Sequence, residues 1–499
     1  MIPETPPSEA EPVAARVQAS VAVADPRRSL RRDSVRFVRT VSLSVGIQGP
    51  TAGVIVGPAV LAGIVGGSGA LAYLLALVAM SFVAYAFVLF SRSFNSASSV
   101  FAFNGSVLGA SYGFVSVWML LLVYVSFAGG VYASTADIAG ALLQSLGMHI
   151  GWVVLAVAGW ALTMVFAHLS ISRSAIVILV CEGVAIVLIA VVGVAVLARN
   201  GHHHAFSTAP FRAHGIALSV LGLGVVNGFG GFSGFEGAAT LGEEAANSQR
   251  TIPAAVVGSL LLSAGVYIVF TWIVDNAYAS PGALAADAAP MVHLATSTIG
   301  PAMGKLVNVA GVISAFGAQL ACINAANRLL FALGREVGHG RQASNFLVRT
   351  SARRRSPTGA LAVTGSVSLA ALLAFSFERS PIRALTFIVE YGAYLIVGVY
   401  LLTVIASMVL VWRRGRKPIP LLILGLGISV LAYVLYDTFI PLPAGPFGVV
   451  ALAAAGSLAA GVALTLVPAM RRRLNGSELL SAAGYVRANS TAASPGSAG

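Results

Sequence analysis

Stretches of about 20 apolar residues recur along most of the chain, and this recurrence restricts the fold more than any other feature. A segment of that length can cross the hydrocarbon core of a bilayer as an α-helix. Hydrophobic residues make up 57% of the 499 residues and charged residues only 9%, whereas soluble proteins carry about 25% charged residues. The sequence therefore predicts an all-α integral membrane protein that crosses the bilayer many times.

Twelve such stretches are predicted from the apolar pattern. They are residues 41–66, 69–91, 108–143, 151–169, 173–198, 215–246, 253–277, 303–333, 358–377, 383–411, 418–438 and 446–469. The third and the eighth are over-long, so we expect them to tilt or to extend beyond the bilayer. We expect residues 1–40 to form a disordered cytoplasmic leader, residues 41–470 the membrane domain, and residues 471–499 a disordered cytoplasmic tail.

The distribution of the basic residues predicts how the spans are oriented in the membrane. With the N-terminus inside the cell, 25 of the 30 Lys and Arg residues fall on the cytoplasmic side, in loops or at the cytoplasmic ends of spans. The five on the outer side are Arg199, Arg212, Lys305, Arg379 and Arg383. Because Lys and Arg accumulate in cytoplasmic loops, the bias predicts an even number of spans and both termini in the cytoplasm, in the inner (plasma) membrane.

Two of the twelve stretches contain residues that interrupt helices. The first is interrupted at Pro50, which is flanked by Gly49 and Gly53, and the sixth over residues 228–234, with the break expected at about Gly230. Broken helices at the first and sixth positions predict a five-plus-five inverted repeat, with two helices appended. The alternative is a kinked helix in which glycine permits close packing.

The sequence around both interruptions resembles a known transporter family. Residues 234–253 contain Gly-Phe-Glu, then Leu-Gly-Glu-Glu-Ala-Ala-Asn and Arg-Thr-Ile-Pro, with Ser248 replacing the usual proline. Residues 51–58 are similar to the first-helix motif of that family, and residues 324–336 are similar to its eighth helix. On these motifs the chain, from about residue 40 to 470, resembles the amino acid–polyamine–organocation permeases.

The resemblance implies the fold of the bacterial leucine transporter and secondary active transport of an amino acid or related amine by alternating access. A proton is the expected coupling ion. Sodium coupling, substrate exchange and a transporter-like sensor that binds its ligand without moving it remain open. We expect no enzymatic activity, cofactor, metal or nucleic-acid partner, and we leave open whether the protein is a monomer or a homodimer.

The substrate is expected to bind between the interrupted helices. A helix N-terminus offers free N–H groups and partial positive charge, which suit a substrate carboxylate. The expected donors are the amides near Gly49, Thr51, Ala52 and Gly53, where Ala52 replaces the serine usual in the family. Carbonyl groups at the end of the sixth half-helix would accept hydrogen bonds from a substrate ammonium.

Aromatic residues surround the sixth interruption. We expect Phe229, Phe232, Gly234 and Phe235 to contribute to the binding site, with the Phe232 and Phe235 rings covering the substrate or contacting a cation. The alternative is that these rings are ordinary core residues. Because Gly230 stands where the family carries an aromatic gate, either Phe229 serves as the gate or the pocket is enlarged.

Charged groups inside a bilayer are costly, so each one is a functional candidate. Glu236 follows the sixth interruption directly and is expected to bind the coupled proton; the alternative is a structural acceptor. Glu182 lies where some proton-coupled relatives carry a lysine, and is expected to carry a proton or help to bind sodium. The histidines at 202–204 and His214 are expected in a solvated outer loop rather than at a metal.

Overall fold

A computed structural model describes residues 35–92, 99–200, 207–213, 215–337, 346–351, 356–415, 417–440 and 442–475. Nearly all of these residues are helical. Within the described ranges, extended pairing is limited to two isolated bridges, Val35 with Ala245 and Thr350 with Pro357. The structure therefore confirms the predicted all-α class.

The helices are named here in chain order. They are α1 (Phe37–Gln48), α2 (Pro50–Val65), α3 (Gly69–Ser91), α4 (Val100–Leu108), α5 (Ala110–Gln144), α6 (Trp152–Ala167), α7 (Ile171–Asn200), α8 (Leu218–Phe232), α9 (Ser248–Ala277), α10 (Pro281–Ala285), α11 (Pro290–Thr298), α12 (Pro301–Val337), α13 (Thr358–Leu373), α14 (Pro381–Arg413), α15 (Pro418–Phe439), α16 (Pro446–Leu466) and α17 (Pro468–Asn475). Short 3₁₀ helices cover Ala209–Phe211, Phe235–Leu241 and Phe346–Val348.

Ten helical segments of the described chain are long and apolar enough to cross a membrane. They are α1 with α2, α3, α5, α7, α8 with the following 3₁₀ helix, α9, α12, α14, α15 and α16. Helices α6 and α13 occupy the positions of the fourth and ninth predicted stretches but have only 16 residues each. The protein is a multi-pass membrane protein, while the count of twelve spans and the inverted repeat stay predictions.

The two stretches expected to be over-long are the two longest helices of the described chain. Helix α5 has 35 residues and α12 has 37. At the ends of the chain, α1 begins at Phe37, within the predicted leader, and α17 extends into the predicted tail. Residues 1–34 and 476–499, on which most of those two predictions fall, lie outside the described residues.

The first span is broken at Gly49, as the sequence predicts. Gly49 has φ 50° and ψ 52°, a left-handed conformation that ends α1, and α2 begins directly afterwards at Pro50. Glycine adopts this conformation without steric cost, and proline at the first position of a helix loses no intrahelical hydrogen bond. The local sequence is therefore sufficient to place this break.

The second break lies further along the chain than the sequence predicts. Helix α8 continues through Gly230 to Phe232, so the expected break at about Gly230 is wrong. The backbone leaves the helix at Ser233, with ψ 136°, and turns at Gly234, with φ 107°. A 3₁₀ helix, Phe235–Leu241, follows at once.

Two of the glycines of α8 serve close packing. A Cβ atom on Gly224 would lie 3.2 Å from Cβ of Ala72, and one on Gly228 would lie 3.0 Å from Cβ of Ala76. Both contacts are with α3, so these glycines let the two helices approach closely. A helix tolerates a glycine at a cost of about 1 kcal/mol, which close packing offsets here.

The two breaks lie side by side in the interior. A Cβ atom on Gly234 would lie 3.4 Å from the backbone nitrogen of Gln48. The Gln48 side chain donates through Nε2 to the Phe232 carbonyl at 3.0 Å, and the Ser44 hydroxyl donates to the Phe235 carbonyl at 2.8 Å. Side chains of α1 thus satisfy carbonyl groups that the second break releases from helical bonding.

A buried ion pair joins the segment after the 3₁₀ helix to α12. Nε of Arg328 lies 2.6 Å from Oε2 of Glu244, and each side chain is only 2% exposed. Arg335 and Glu243 form a second, more exposed pair beside it. The backbone of Val35 also pairs with this segment, so three parts of the chain are tied together at one point.

We expect Gly234→Ala to destabilise the protein by about 2–5 kcal/mol, because alanine is strained at this φ and its Cβ would overlap Ile47. Gly230→Ala is the matched control, since no atom lies within 4 Å of the position that a Cβ would occupy there. Its stability should stay within about 1 kcal/mol of the wild type. Thermal unfolding in detergent measures both, and equal midpoints for the two variants would contradict the assignment of the break.

We expect Arg328→Met to cost about 3–5 kcal/mol, because it leaves the Glu244 carboxylate buried without a partner. The double variant Arg328→Met with Glu244→Met removes both charges and should recover most of that loss. Arg335→Met serves as the control, since the more exposed pair should contribute about 0–1 kcal/mol. The midpoint of thermal unfolding is again the measurement, and a double variant no more stable than Arg328→Met would refute the pairing.

Candidate functional site

The first turn of α2 directs its donors at a carboxylate on α7. Both the backbone nitrogen and the hydroxyl of Thr51 donate to Oε1 of Glu182, at 3.0 and 2.8 Å. The Ser314 hydroxyl, on α12, donates to Oε2 of Glu182 at 2.7 Å and accepts from the Ala52 nitrogen at 3.2 Å. Three helices therefore meet at one buried carboxylate.

This arrangement occupies the donors that were expected to receive a substrate carboxylate. The amides of Thr51 and Ala52 are engaged as described, and the Gly53 nitrogen donates within the chain to the Gly49 carbonyl at 3.0 Å. The protein's own Glu182, 3% exposed, takes the place of an external carboxylate in this conformation. The partial positive charge at the start of α2 and three hydrogen bonds stabilise its anionic form.

The carbonyl groups at the end of α8 are engaged as well. The Phe232 carbonyl accepts from Gln48, the Gly230 carbonyl accepts from the Ser233 nitrogen at 3.1 Å, and the Phe229 carbonyl accepts from the Ser233 hydroxyl at 3.4 Å. These groups were expected to accept from a substrate ammonium. A substrate would have to displace these internal partners to reach the carbonyls.

Glu236 is the carboxylate of the second break and is fully buried. The Tyr124 hydroxyl, on α5, donates to its Oε1 at 2.7 Å, and the Tyr400 hydroxyl, on α14, donates to its Oε2 at 2.6 Å. The Gly234 nitrogen also donates to Oε2, at 3.1 Å. Glu236 therefore links the break to two neighbouring helices, as a structural acceptor would; the expected proton-binding role stays a prediction.

Neither carboxylate has a basic partner in the part of the chain that the structure describes. The Arg side chains in these ranges form ion pairs with Glu244, Glu243, Glu336 and Glu378, and none of them pairs with Glu182 or Glu236. Hydroxyl and amide groups alone compensate for the water that each carboxylate loses. The two breaks consequently carry negative charge whenever these groups are ionised.

The Phe232 ring belongs to an aromatic cluster beside the first break. Its centroid lies 6.0 Å from that of Tyr73 and 5.6 Å from that of Tyr267, both in edge-on contact. Tyr73 and Tyr267 stack on each other at 4.9 Å. The Tyr267 ring also lies against Gly53, where a Cβ atom would come within 2.6 Å of its hydroxyl oxygen. Glycine at 53 thus makes room for this ring.

The other two phenylalanines of the second break form a similar cluster. Phe235 packs against Phe87 and Tyr400, each at 5.5 Å between centroids, and Phe229 lies 6.1 Å from Tyr400. Phe229, Phe232 and Phe235 are all buried. In this conformation they are core aromatics, and their contact with a substrate stays a prediction.

Several residues of the site have no signal in the local sequence. They are Ser314, Tyr124, Tyr400 and Tyr267. Each lies in an ordinary apolar stretch and reaches the breaks only because its helix packs there. Gln48 is different, because an amide directly before the Gly-Pro pair of an apolar run could have been identified as a candidate.

No group of three His, Cys, Asp or Glu side chains in the described part of the chain is placed to hold a metal ion. The histidines at 202–204 and His214 lie outside the described residues. The chemistry of the site therefore consists of two buried carboxylates, hydroxyl donors and aromatic faces at the junction of two broken helices.

Comparison with known proteins gives this geometry a context. The branched-chain amino acid permease BcaP of Lactococcus lactis is 26% identical over 284 residues, which cover 53% of this chain and 60% of BcaP. The low-affinity putrescine importer PlaP of Escherichia coli is 24% identical, over 72% of this chain and 76% of PlaP. The methylthioribose transporter of Bacillus subtilis is also 24% identical, over 56% of this chain and 63% of that protein.

These relatives are permeases, importers and transporters rather than enzymes. The resemblance to the permeases that was drawn from the motifs is confirmed. A family model described as amino acid permease matches residues 36–463, which is most of the chain. The chain therefore belongs to the amino acid permease family.

Proposed function

We propose that the protein is a secondary active transporter that moves an amino acid or a related amine across the plasma membrane by alternating access. One observation carries the proposal. Two helices are broken at the same place in the interior, and beside each break lies a buried carboxylate that no Lys or Arg of the described residues pairs with. Irregular backbone at membrane depth is costly and is found where transporters bind their substrates.

The relatives support the class of substrate. The three named above handle, by name, branched-chain amino acids, putrescine and methylthioribose. Two of these three are amino acids or amines, and all three are small polar molecules. A small pocket with a few polar groups between broken helices suits substrates of that size.

The same proposal includes the full architecture. Helices α6 and α13 would complete twelve spans, the first ten spans would form the five-plus-five repeat, and α15 and α16 would be appended. The excess of Lys and Arg in the corresponding loops supports cytoplasmic termini. On this orientation the buried pair of Arg328 and Glu244 closes the cytoplasmic side of the site.

Substrate binding is assigned to the residues that flank the breaks. They are Gly49, Thr51, Ala52, Gly53, Phe229, Phe232, Gly234 and Phe235. The Gln48 side chain accepts a hydrogen bond from Ser263 at 2.7 Å and donates one to the Phe232 carbonyl. One of these two hydrogen bonds would break as the site opens. These internal hydrogen bonds compete with the substrate for the same groups.

A proton is the proposed coupling ion, and Glu236 is its proposed carrier. The ionised carboxylate accepts three hydrogen bonds, from Tyr124, Tyr400 and Gly234. A protonated carboxyl group donates one hydrogen bond itself, so one of the two tyrosine hydroxyls would have to rotate and accept instead of donating. Proton binding would thereby replace charge-assisted hydrogen bonds by weaker neutral ones between the second break and α5 and α14.

Sodium coupling is the competing mechanism, and Glu182 is the group that it would use. The Glu182 carboxylate and the hydroxyl oxygens of Thr51 and Ser314 already lie together, and oxygen atoms are the usual ligands of hard cations.

Radiolabelled uptake into proteoliposomes, with an inward proton gradient, an inward sodium gradient or neither, separates the two mechanisms. We expect accumulation under the proton gradient alone, whereas binding without uptake would indicate a sensor.

We expect Glu236→Gln to abolish accumulation driven by a proton gradient, because an amide cannot bind and release the coupled proton. Exchange of labelled for unlabelled substrate, which needs no net proton movement, should persist. Glu390→Gln is the matched control, since Glu390 is a carboxylate of α14 away from the breaks. Full pH-driven uptake by Glu236→Gln would exclude the coupling role, and loss of both activities would indicate a structural one.

A further inference from the structure

We propose that the transported substrate is an organic amine without a carboxylate, because Glu182 already fills the position where a substrate carboxylate would bind. This inference rests on the proposed function and narrows its substrate class. It depends on the contacts of one side chain and on the charge of its surroundings. Both lie within the described residues.

The contacts of Glu182 leave a second carboxylate no donors. The amide of Thr51 is bound to Glu182 itself, and the amide of Ala52 is bound to Ser314, which in turn donates to Glu182. These are the amides of the first turn of α2 that have no acceptor within the helix. A substrate carboxylate would have to displace the internal one and would lie beside a like charge.

Helix packing holds Glu182 in place. A Cβ atom on Gly46 of α1 would come within 2.5 Å of Cγ2 of Ile178, and one on Gly317 of α12 would lie 3.4 Å from Cβ of Cys181. Helix α7 is thus packed closely against both neighbours in the turn that precedes Glu182. A carboxylate that turned away from α2 would lose its donors while it remained buried, which is unfavourable.

The surroundings favour a cation over an anion. Among the described residues no Lys or Arg forms an ion pair with Glu182 or Glu236, and the buried Arg328 is paired with Glu244. Within the described residues, a substrate carboxylate would therefore find no Lys or Arg paired with either of these carboxylates. An ammonium group would find the Glu182 carboxylate, an acceptor of opposite charge.

A cavity at the far end of α2 also contains a carboxyl group. It has a volume of about 490 Å³ and is lined by the end of α2, the turn 66–68, residues 209, 210, 216 and 220, the end of α9 and the start of α10. Asp275 is the only ionisable residue among the described residues that line it. A cavity with one carboxyl group and no basic side chain in its described lining suits an amine better than a carboxylate.

Matched pairs of substrates test the proposal directly. Leucine and 3-methylbutylamine, ornithine and putrescine, and lysine and cadaverine differ within each pair only by the α-carboxylate. We expect the wild-type protein in proteoliposomes to take up the amine of at least one pair about tenfold faster than the amino acid, as like-charge repulsion predicts. Faster uptake of the amino acids would overturn the substrate class alone, whereas transport of no compound in a broad amino-acid and amine panel would overturn the proposed function as well.

Glu182→Gln tests the cause of the selectivity. Glutamine keeps a carbonyl acceptor for Thr51 but removes the charge, so the ratio of amine to amino acid uptake should fall about tenfold. Glu182→Asp keeps the charge and should retain the preference for the amine, and Glu390→Gln should leave the ratio unchanged. An unchanged ratio in a folded Glu182→Gln protein would overturn the role of Glu182. If that variant does not fold, the wild-type pairs and Glu182→Asp still decide the proposal.

Discussion

The fold depends on the rule that every polar backbone group at membrane depth must find a partner within the protein. Two breaks in apolar helices would each leave amides and carbonyls unpaired. Here the breaks meet, and side chains of the first span supply what the second break lacks: Gln48 and Ser44 donate to two of its carbonyl groups. The second break depends on the first for these donors, so their positions are coupled.

Uncharged hydrogen-bond donors hold the two carboxylates that lie beside the breaks. Glu182 is held by an amide and two hydroxyls, and Glu236 by two phenols and an amide. An arginine or lysine side chain paired with either carboxylate would have neutralised its negative charge permanently. Because the donors are neutral, they leave the charge of each ionised carboxylate unneutralised.

The candidate site was predictable from the sequence only where its signal is local. Gly49 and Pro50 place the first break because both residues restrict the backbone by their own covalent structure. The glycines of α8 gave a wrong position for the second break, because glycine does not by itself end a helix: Gly224 and Gly228 serve close packing against α3, a contact that the sequence does not reveal. The partners of Glu182 and Glu236 come from α2, α5, α12 and α14, so no sequence spacing could reveal them.

The sequence by itself determined the class of protein, the approximate spans, the first break, the two buried carboxylates and the family. Each of these follows from hydrophobicity, charge or a short motif, all of which are properties of neighbouring residues. The tertiary structure decided that Glu182 occupies the amides of α2, that Glu236 is held by two tyrosines and that the three phenylalanines are packed in the interior. Those features are contacts between distant segments, and they exist only once the helices have packed.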